Sequence, residues 1–146
     1  MTEPLRGSSA ILRRFAGPEA DELTILCRSE EPSKNPAAEA EAAYRSLAAR
    51  LAGERASFQD LVAETLFLRD IRRDLPLVLD VRARVLAGVD HGAGAPPPTF
   101  IQQAPLAGGA VELAAAAVIP RRRDAWAVRD VAADDLVARR VERDVH

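Results

Sequence analysis

The side chains that most often carry chemistry are scarce in this sequence of 146 residues. The two histidines, His91 and His146, lie far apart and have no acidic or cysteine residues at metal-ligand spacing, so we expect no metal site. Cys27 is the only cysteine, and because no histidine lies near it in sequence, it is better interpreted as a buried structural thiol than as a nucleophile. No glycine-rich phosphate motif is present either, and we therefore expect no cofactor.

The remaining polar candidates lie on predicted strands or directly after them. Glu112 is the only acid in the apolar segment 111–119, and strand alternation places it on the same side as Ala114. Gln102 and Gln103 can each donate and accept hydrogen bonds, but only one of them can point to a given face of a strand. These side chains can bind a polar ligand, provided that the fold brings them together.

Charge and composition exclude several classes of partner. The formal net charge of −2 and the isoelectric point near 5.7 give no general attraction to nucleic acid or to anionic membranes. No window approaches the roughly 18 apolar residues of a membrane span, and the N-terminal residues lack the apolar segment of a secretory signal. A single cysteine excludes an internal disulfide and is typical of a reducing compartment. We therefore expect a cytoplasmic protein with no nucleic-acid or membrane partner.

Seven secondary-structure elements are predicted around these candidates. Apolar alternation and turn residues indicate strands, and the third strand is covered on both faces, with Leu61, Ala63 and Phe67 on one of them. Asn35 and Asp74 are suitable helix N-caps before two amphipathic segments. In chain order the elements are strands 11–15 and 23–28, a helix 35–52, a strand 61–69, a helix 74–88, and strands 99–103 and 111–119.

This ββαβαββ order predicts an α/β (α+β) fold with one sheet and two helices packed on one of its faces. The uncovered face still carries apolar residues, so another molecule is expected to cover it. The residues expected on that face are Phe67 or Leu68, Ile101, and Val111 or Val118.

The order of the elements and three local phrases resemble the Rid (YjgF-like) family of reactive-intermediate deaminases. The phrases are ASFQDLV (56–62) leading into TLFLRD (65–70), PPT (97–99) at the start of a strand, and VELAAAAV (111–118) in the last strand. The resemblance spans residues 11–119. It predicts a Rid-like domain at residues 11–120, with a flexible N-terminus at 1–10 and a C-terminal extension at 121–146.

The resemblance implies a homotrimer whose sheets line a central barrel, with a ligand cleft between neighbouring subunits. In typical members an arginine grips a substrate carboxylate, a cysteine lies two residues further on, and an acid near the end of the last strand positions the hydrolytic water. These positions correspond to Thr99, Ile101 and Ala114 in this sequence. Without the arginine and the acid, ordinary deamination of imines or enamines is not expected.

The resemblance also directs attention to groups that could form a different ligand site. Arg28 ends the second strand, where the family's cleft wall lies, and Glu112 is a substitute acid on the last strand. With Thr99, Ile101 and Gln103 they form the predicted ligand-binding set. No catalytic residue is assigned.

Three functions remain open. The chain is interpreted as a homotrimer that binds a small metabolite without ordinary deaminase activity. One alternative is a remodelled imine or enamine hydrolase. The other is a subunit or half of a chorismatase-like assembly, because the segment 97–103 and the tail also resemble the N-terminal half of chorismatase-type proteins. The arginines at 121–123 are expected to be a solvated edge, and a protein partner for the extension is left open.

Overall fold

The computed structural model describes the backbone of residues 8–29, 33, 35–87, 96–106, 108–133 and 136–143, and side chains from Ser9 to Asp124 within these ranges. Several sequence-based expectations lie outside the described residues: most of the N-terminal lead-in, at 1–7, the loop at 88–95 with its His91, and His146.

The described chain forms a mixed sheet, two long helices and a C-terminal hairpin. The strands and helices are β1 (Ser8–Ala16), β2 (Ala20–Ser29), α1 (Pro36–Gly53), β3 (Leu61–Leu68), α2 (Ile71–Ala87), β4 (Pro98–Gln102), β5 (Val111–Pro120), β6 (Trp126–Ala133) and β7 (Leu136–Arg143). As far as β5 this is the predicted ββαβαββ order, and the predicted fold class is confirmed.

The sheet has five strands in the order β1-β2-β5-β3-β4. All neighbouring strands are antiparallel except β3 and β4, which are parallel because α2 carries the chain back to the starting edge between them. Helix α1 packs against β1, β2 and β5, whereas α2 packs against β3 and β4. Within the described residues, neither helix is long and apolar enough to cross a bilayer.

The core lies between the helices and the sheet. Alternate residues of the three central strands point into it, and each buried aliphatic side chain stabilises the fold by roughly 1.5–3 kcal/mol. The fully buried residues include Leu23, Ile25 and Cys27 from β2, Leu66 and Leu68 from β3, Val111 and Leu113 from β5, Tyr44, Leu47 and Leu51 from α1, and Val78 and Val81 from α2.

Neither of the two described helices lies on the opposite face of the sheet, called the open face here. Phe15 and Ile11 on the edge strand β1 are 69% and 47% exposed, and Ile101 on the other edge is 39% exposed. Phe67 and Val118 lie between them and are half-buried. Large apolar side chains are therefore exposed on this face among the described residues, and its cover by another molecule stays a prediction.

The structure also decides between the alternatives left for that face. Phe67 and Val118 lie on the open face, whereas Leu68 and Val111 are fully buried in the core. The pairing of β3 with β5 shifts between Leu61 and Ala63. Because this irregularity inserts one residue, Leu61 points into the core, and its predicted place on the same face as Ala63 and Phe67 is wrong.

The start of α1 agrees with the prediction, whereas the start of α2 does not. Asn35 caps α1 as expected, since its side-chain oxygen accepts a hydrogen bond from the Ala38 N–H at 3.1 Å. Asp74 does not cap α2. The Asp70 side chain accepts from the Arg73 N–H at 3.1 Å, so α2 starts one turn earlier than predicted, and Asp74 is buried within its first turn.

The C-terminal segment contains structure that the sequence patterns did not predict. Strands β6 and β7 pair antiparallel, in a register from Trp126 opposite Arg143 to Ala133 opposite Leu136. Strand β7 lies beside β3. The segment was predicted only as an extension because its frequent charges obscure the strand alternation.

Candidate functional site

The open face carries a row of four side chains that are in register across four strands. Arg28 of β2 pairs with Glu112 of β5, Glu112 with Phe67 of β3, and Phe67 with Ile101 of β4. Directly paired residues on neighbouring strands have their Cβ atoms about 5 Å apart. Three of the predicted ligand residues, from distant parts of the sequence, thus lie in one strip, which we call the charged row.

Glu112 is the exception among the buried carboxylates of the described residues. It is only 8% exposed, yet it forms no hydrogen bond or ion pair with any described side chain or backbone group. The others all have donors: Asp21 binds Arg14 and Arg121, Glu39 binds the Ala110 N–H, Asp60 binds Arg123, Glu64 binds Tyr44 and Arg82, and Asp74 binds Arg73. No side-chain oxygen of the described residues is both buried and unbonded, so the unpaired carboxylate oxygens of Glu112 reach solvent at the open face.

Arg28 is half-buried beside Glu112 and is equally without a partner among the described residues. The two side chains carry opposite charges on directly paired positions, but they do not close into an ion pair. Their hydrogen-bonding capacity is therefore available to a third molecule. A guanidinium offers only donors and a carboxylate offers only acceptors, so the pair presents both kinds of group side by side.

A second row runs along the open face next to the charged row. It consists of Leu26, Ala114, Thr65 and Thr99, which are in register on the same four strands. Residues two apart along a strand are separated by about 7 Å on one face. We call this the neutral row because it contains no ionisable group.

The neutral row contains two of the positions where the Rid resemblance places a charged group. Thr99 and Ala114 lie in it with one strand between them, and Ile101 lies in the charged row. The arginine and glutamate of this chain are located one row further along the same face, on β2 and β5.

The two glutamines after β4 have different surroundings. The Gln102 side chain accepts a hydrogen bond from the Ile71 N–H at 3.2 Å and so contributes to the start of α2. The Gln103 N–H donates to the Leu68 carbonyl at 2.9 Å, and its side chain is exposed. Gln103 lies just past the end of β4, at the margin of the charged row, whose Ile101 is two residues before it.

Sequence reasoning missed a charged cluster on the helix-covered face. Glu64 of β3 accepts three hydrogen bonds from Arg82 of α2, Nε to Oε1 at 3.1 Å, Nε to Oε2 at 3.2 Å and Nη2 to Oε2 at 2.9 Å, and one from the Tyr44 hydroxyl of α1. Arg82 Nη2 also donates to the Pro96 carbonyl at 2.8 Å. We call Tyr44, Glu64 and Arg82 the buried triad. The signal that could have found it is Glu64 itself, an acid in a strand covered on both faces.

The electrostatics of the buried triad are those of a closed structural unit. Burial raises the pKa of Tyr44, and the neighbouring Glu64 carboxylate raises it further. Burial lowers the pKa of Arg82, but hydrogen bonding and charge attraction to Glu64 outweigh this, and the net shift is upward. The Tyr44 hydroxyl therefore stays protonated and the Arg82 guanidinium stays charged, and every group of the triad has a partner.

Two of the arginines in the 121–123 run are engaged rather than simply solvated. Arg121 donates to the Gly17 carbonyl and to Asp21, both at 2.9 Å. Arg123 contacts Asp60 at 2.8 Å. Both arginines remain about half exposed, so this edge is in contact with solvent as predicted, although the two side chains are also paired. Their contacts join the segment after β5 to the core.

The remaining nucleophile and metal candidates offer no site among the described residues. Cys27 is fully buried. Burial raises its pKa to about 12, although a hydrogen bond with Ser46 and the charge of Arg50 oppose the shift. No group of three or more histidine, cysteine, aspartate or glutamate side chains in this part of the chain could hold a metal ion.

Comparison with models of known protein families yields no match, and neither does comparison with curated protein sequences. Comparison with solved structures does yield matches. The chain is similar to Rv2704 of Mycobacterium tuberculosis, a member of the YjgF/YER057c/UK114 family, with 22% identity and a TM-score of 0.51. That match covers 66% of this chain and 84% of the other.

Two further structures have the same architecture. RidA from the Antarctic bacterium Psychrobacter sp. PAMC 21119 is 20% identical, with a TM-score of 0.56 over 73% of this chain and 85% of RidA. Yeast Mmf1 is 14% identical, with a TM-score of 0.54 over 67% of this chain and 84% of Mmf1. These likenesses show that the chain has the YjgF/UK114/RidA fold.

Proposed function

We propose that this chain is a divergent Rid-like protein, a homotrimer that binds a small metabolite in clefts between its subunits and lacks ordinary imine or enamine deaminase activity. The observation that carries the proposal is the charged row, in which Arg28 and Glu112 lie side by side and neither is bonded to a described residue. A few polar groups with free hydrogen-bonding capacity beside an apolar surface are typical of small-molecule sites.

The open face supports assembly. Large apolar side chains are exposed or half-buried on it from one edge strand to the other, including Phe15, Phe67 and Ile101. An extended apolar face on a soluble protein is usually covered by a partner, and closed homo-oligomers are the commonest solution. Three copies arranged as the fold resemblance implies would cover these faces and place the charged rows at the seams between subunits.

The expected loss of ordinary deamination follows from three positions. Thr99, Ile101 and Ala114 provide neither an anion clamp, nor a thiol, nor a proton-transfer group. Arg28 and Glu112 supply the corresponding charges one row away, so a substrate held by Thr99 would not meet them in the family's arrangement. This displacement favours binding, or a changed reaction, over the usual one.

Light scattering tests the assembly. We expect the wild type to have three times the 15.7 kDa mass of the chain. Val118→Glu, on the open face, should remain folded by circular dichroism but become monomeric, because a charge would be buried at the seam. Leu79→Glu is the matched control, since Leu79 is 42% exposed on α2 and its substitution should leave the trimer intact. A wild-type monomer would contradict the proposal.

An assay with 2-aminoacrylate generated in place tests the chemistry. We expect the wild-type protein not to accelerate release of the keto acid. Acceleration that disappears in Arg28→Met would instead support a remodelled imine or enamine hydrolase, for which Glu112 is the only acid in the charged row.

Two further proposals concern the setting of the protein. We place it in the cytoplasm, since its single cysteine is buried and reduced thiols are stable there. A chorismatase-like larger assembly is the remaining alternative, and a protein partner would then bind the C-terminal extension. A pull-down from the native cell that recovers only this chain would exclude that alternative.

A further inference from the structure

We infer that the charged row selects a neutral ligand carrying a carbonyl acceptor next to an N–H donor, as in an amide, lactam or ureide. The inference rests on the proposed function, because it names the ligand class of the same site. The juxtaposition that carries it is Arg28 directly opposite Glu112 on neighbouring strands, with neither side chain bonded to a described residue.

Hydrogen-bond complementarity is the first step. Arg28 can only donate and the Glu112 carboxylate can only accept, so a ligand that satisfies both must present one acceptor and one donor. The two residues are directly paired on neighbouring strands, so their side chains reach the same edge of a small molecule. A primary amide, a lactam or a ureide carries a C=O and an N–H on one edge and meets this requirement without any charge of its own.

Charge balance is the second step. The two charges of the site cancel, so an anion attracted by Arg28 would be repelled by Glu112, and a cation attracted by Glu112 would be repelled by Arg28. The neutral row alongside has no ionisable group that could compensate an additional ligand charge. An anion or a cation would therefore leave one like-charge contact uncompensated, whereas a neutral molecule leaves none.

The remainder of the charged row defines the other part of the ligand. Phe67 lies on the far side of Glu112 and Ile101 lies beyond it, so the strip continues as an apolar surface. A flat ring or a short hydrocarbon attached to the amide would contact it. Thr65 and Thr99 in the neutral row are nearby hydroxyls that can hydrogen-bond a second polar group.

Three probes of nearly identical shape separate the possible charge preferences. Benzamide is neutral with one acceptor and one donor group, benzoate is an anion with acceptors only, and benzamidine is a cation with donors only. Each is titrated into the full-length, ¹⁵N-labelled protein, and dissociation constants are obtained from the backbone amide shifts of Arg28, Glu112 and Phe67. We expect benzamide to bind at least about tenfold more tightly than either ion, since charged hydrogen bonds are involved.

Two substitutions should reverse the preference in opposite directions. In Glu112→Gln no carboxylate opposes the Arg28 guanidinium. The affinity for benzoate should therefore rise relative to that for benzamide by about tenfold or more. In Arg28→Met no guanidinium opposes the Glu112 carboxylate, so the affinity for benzamidine should rise relative to that for benzamide by a similar factor. Arg13→Met and Glu22→Gln are the matched controls, because both residues lie on the open face outside the charged row, and the wild-type order should persist in them.

The results distinguish this inference from the proposed assembly. Benzoate binding as tightly as benzamide to the wild type, absence of the reversal in the two variants, or no shift with any probe would each overturn the inference. Light scattering on the same samples reports the assembly independently. A monomer that shows the reversal would support the ligand class and contradict the trimer. A trimer that does not show it would support the assembly and contradict the ligand class.

Discussion

The buried triad and the charged row each place an arginine near a glutamate of the sheet, but on opposite faces. Glu64 is buried under the two helices and accepts hydrogen bonds from both Tyr44 and Arg82. Glu112 is buried on the open face and accepts none from the described residues. The residue types are therefore similar, while the number of satisfied hydrogen-bonding groups differs completely.

We expect the buried triad to contribute to stability and the charged row to contribute to ligand binding. A buried ion pair whose groups are all satisfied is expensive to disrupt, because removal of one partner leaves the other as an uncompensated charge. The Glu112 carboxylate has no partner among the described residues and its oxygens reach solvent, so changing it should affect the fold little and affect recognition strongly. The substitutions below are designed to break or sharpen this contrast.

The largest effect is expected from Arg82→Met in the buried triad. Glu64 would stay buried without its cation, and the free energy of unfolding should fall by about 3 kcal/mol or more. Arg28→Met, the same substitution in the charged row, should change it by roughly 0.5 kcal/mol or less. Urea unfolding followed by circular dichroism measures both, and similar losses in the two variants would remove the contrast.

A much smaller effect is expected from Glu112→Gln. Because the carboxylate is unpaired and its oxygens reach solvent, neutralising it should change the free energy of unfolding at pH 7 by about 0.5 kcal/mol or less. The matched change Glu64→Gln should lower it, since Arg82 would then be left without its anion. A clear destabilisation by Glu112→Gln would mean that the carboxylate has a structural partner.

The engaged arginines after β5 provide an intermediate case. Arg123 binds Asp60 but is 54% exposed, so Arg123→Ala should cost only about 0.5 kcal/mol, and less in high salt. The measurement is urea unfolding at two salt concentrations. A cost as large as that of Arg82→Met, or one that does not depend on salt, would contradict the assignment to a solvent-screened contact.

The smallest expected signal concerns Cys27. Its pKa is raised from 9.0 to about 12 by burial, so the folded state disfavours the thiolate. The contribution to stability is complete below pH 9 and is lost as the pH rises towards 12. We expect almost no reaction with a thiol reagent at pH 8 until the protein is unfolded, and a rapid reaction of the native protein would contradict this burial.

Much of the fold could be predicted because local signals agree with it. Asn35 before Pro36 marks the start of α1, and alternation along β2 and β5 separates the core side from the open face. The errors arise where a longer-range contact outweighs the local signal. Helix α2 begins early because Gln102, distant in sequence, accepts the Ile71 N–H, while Asp70 caps the turn.

The site could be predicted only in part. Arg28, Glu112 and Ile101 were each selected separately, but their common row depends on strand order and register, which the sequence does not determine residue by residue. The buried triad was missed because Tyr44 and Arg82 fit the apolar stripes of their helices, and nothing local indicates that both reach Glu64.

A crystal structure of the assembled protein, grown with benzamide, is the most direct test of the central claim. We predict that the open face of each subunit is covered by a neighbour, with the amide bound between the Arg28 guanidinium and the Glu112 carboxylate. An open face in contact only with solvent, or Arg28 and Glu112 closed into an ion pair with the amide absent, would contradict it.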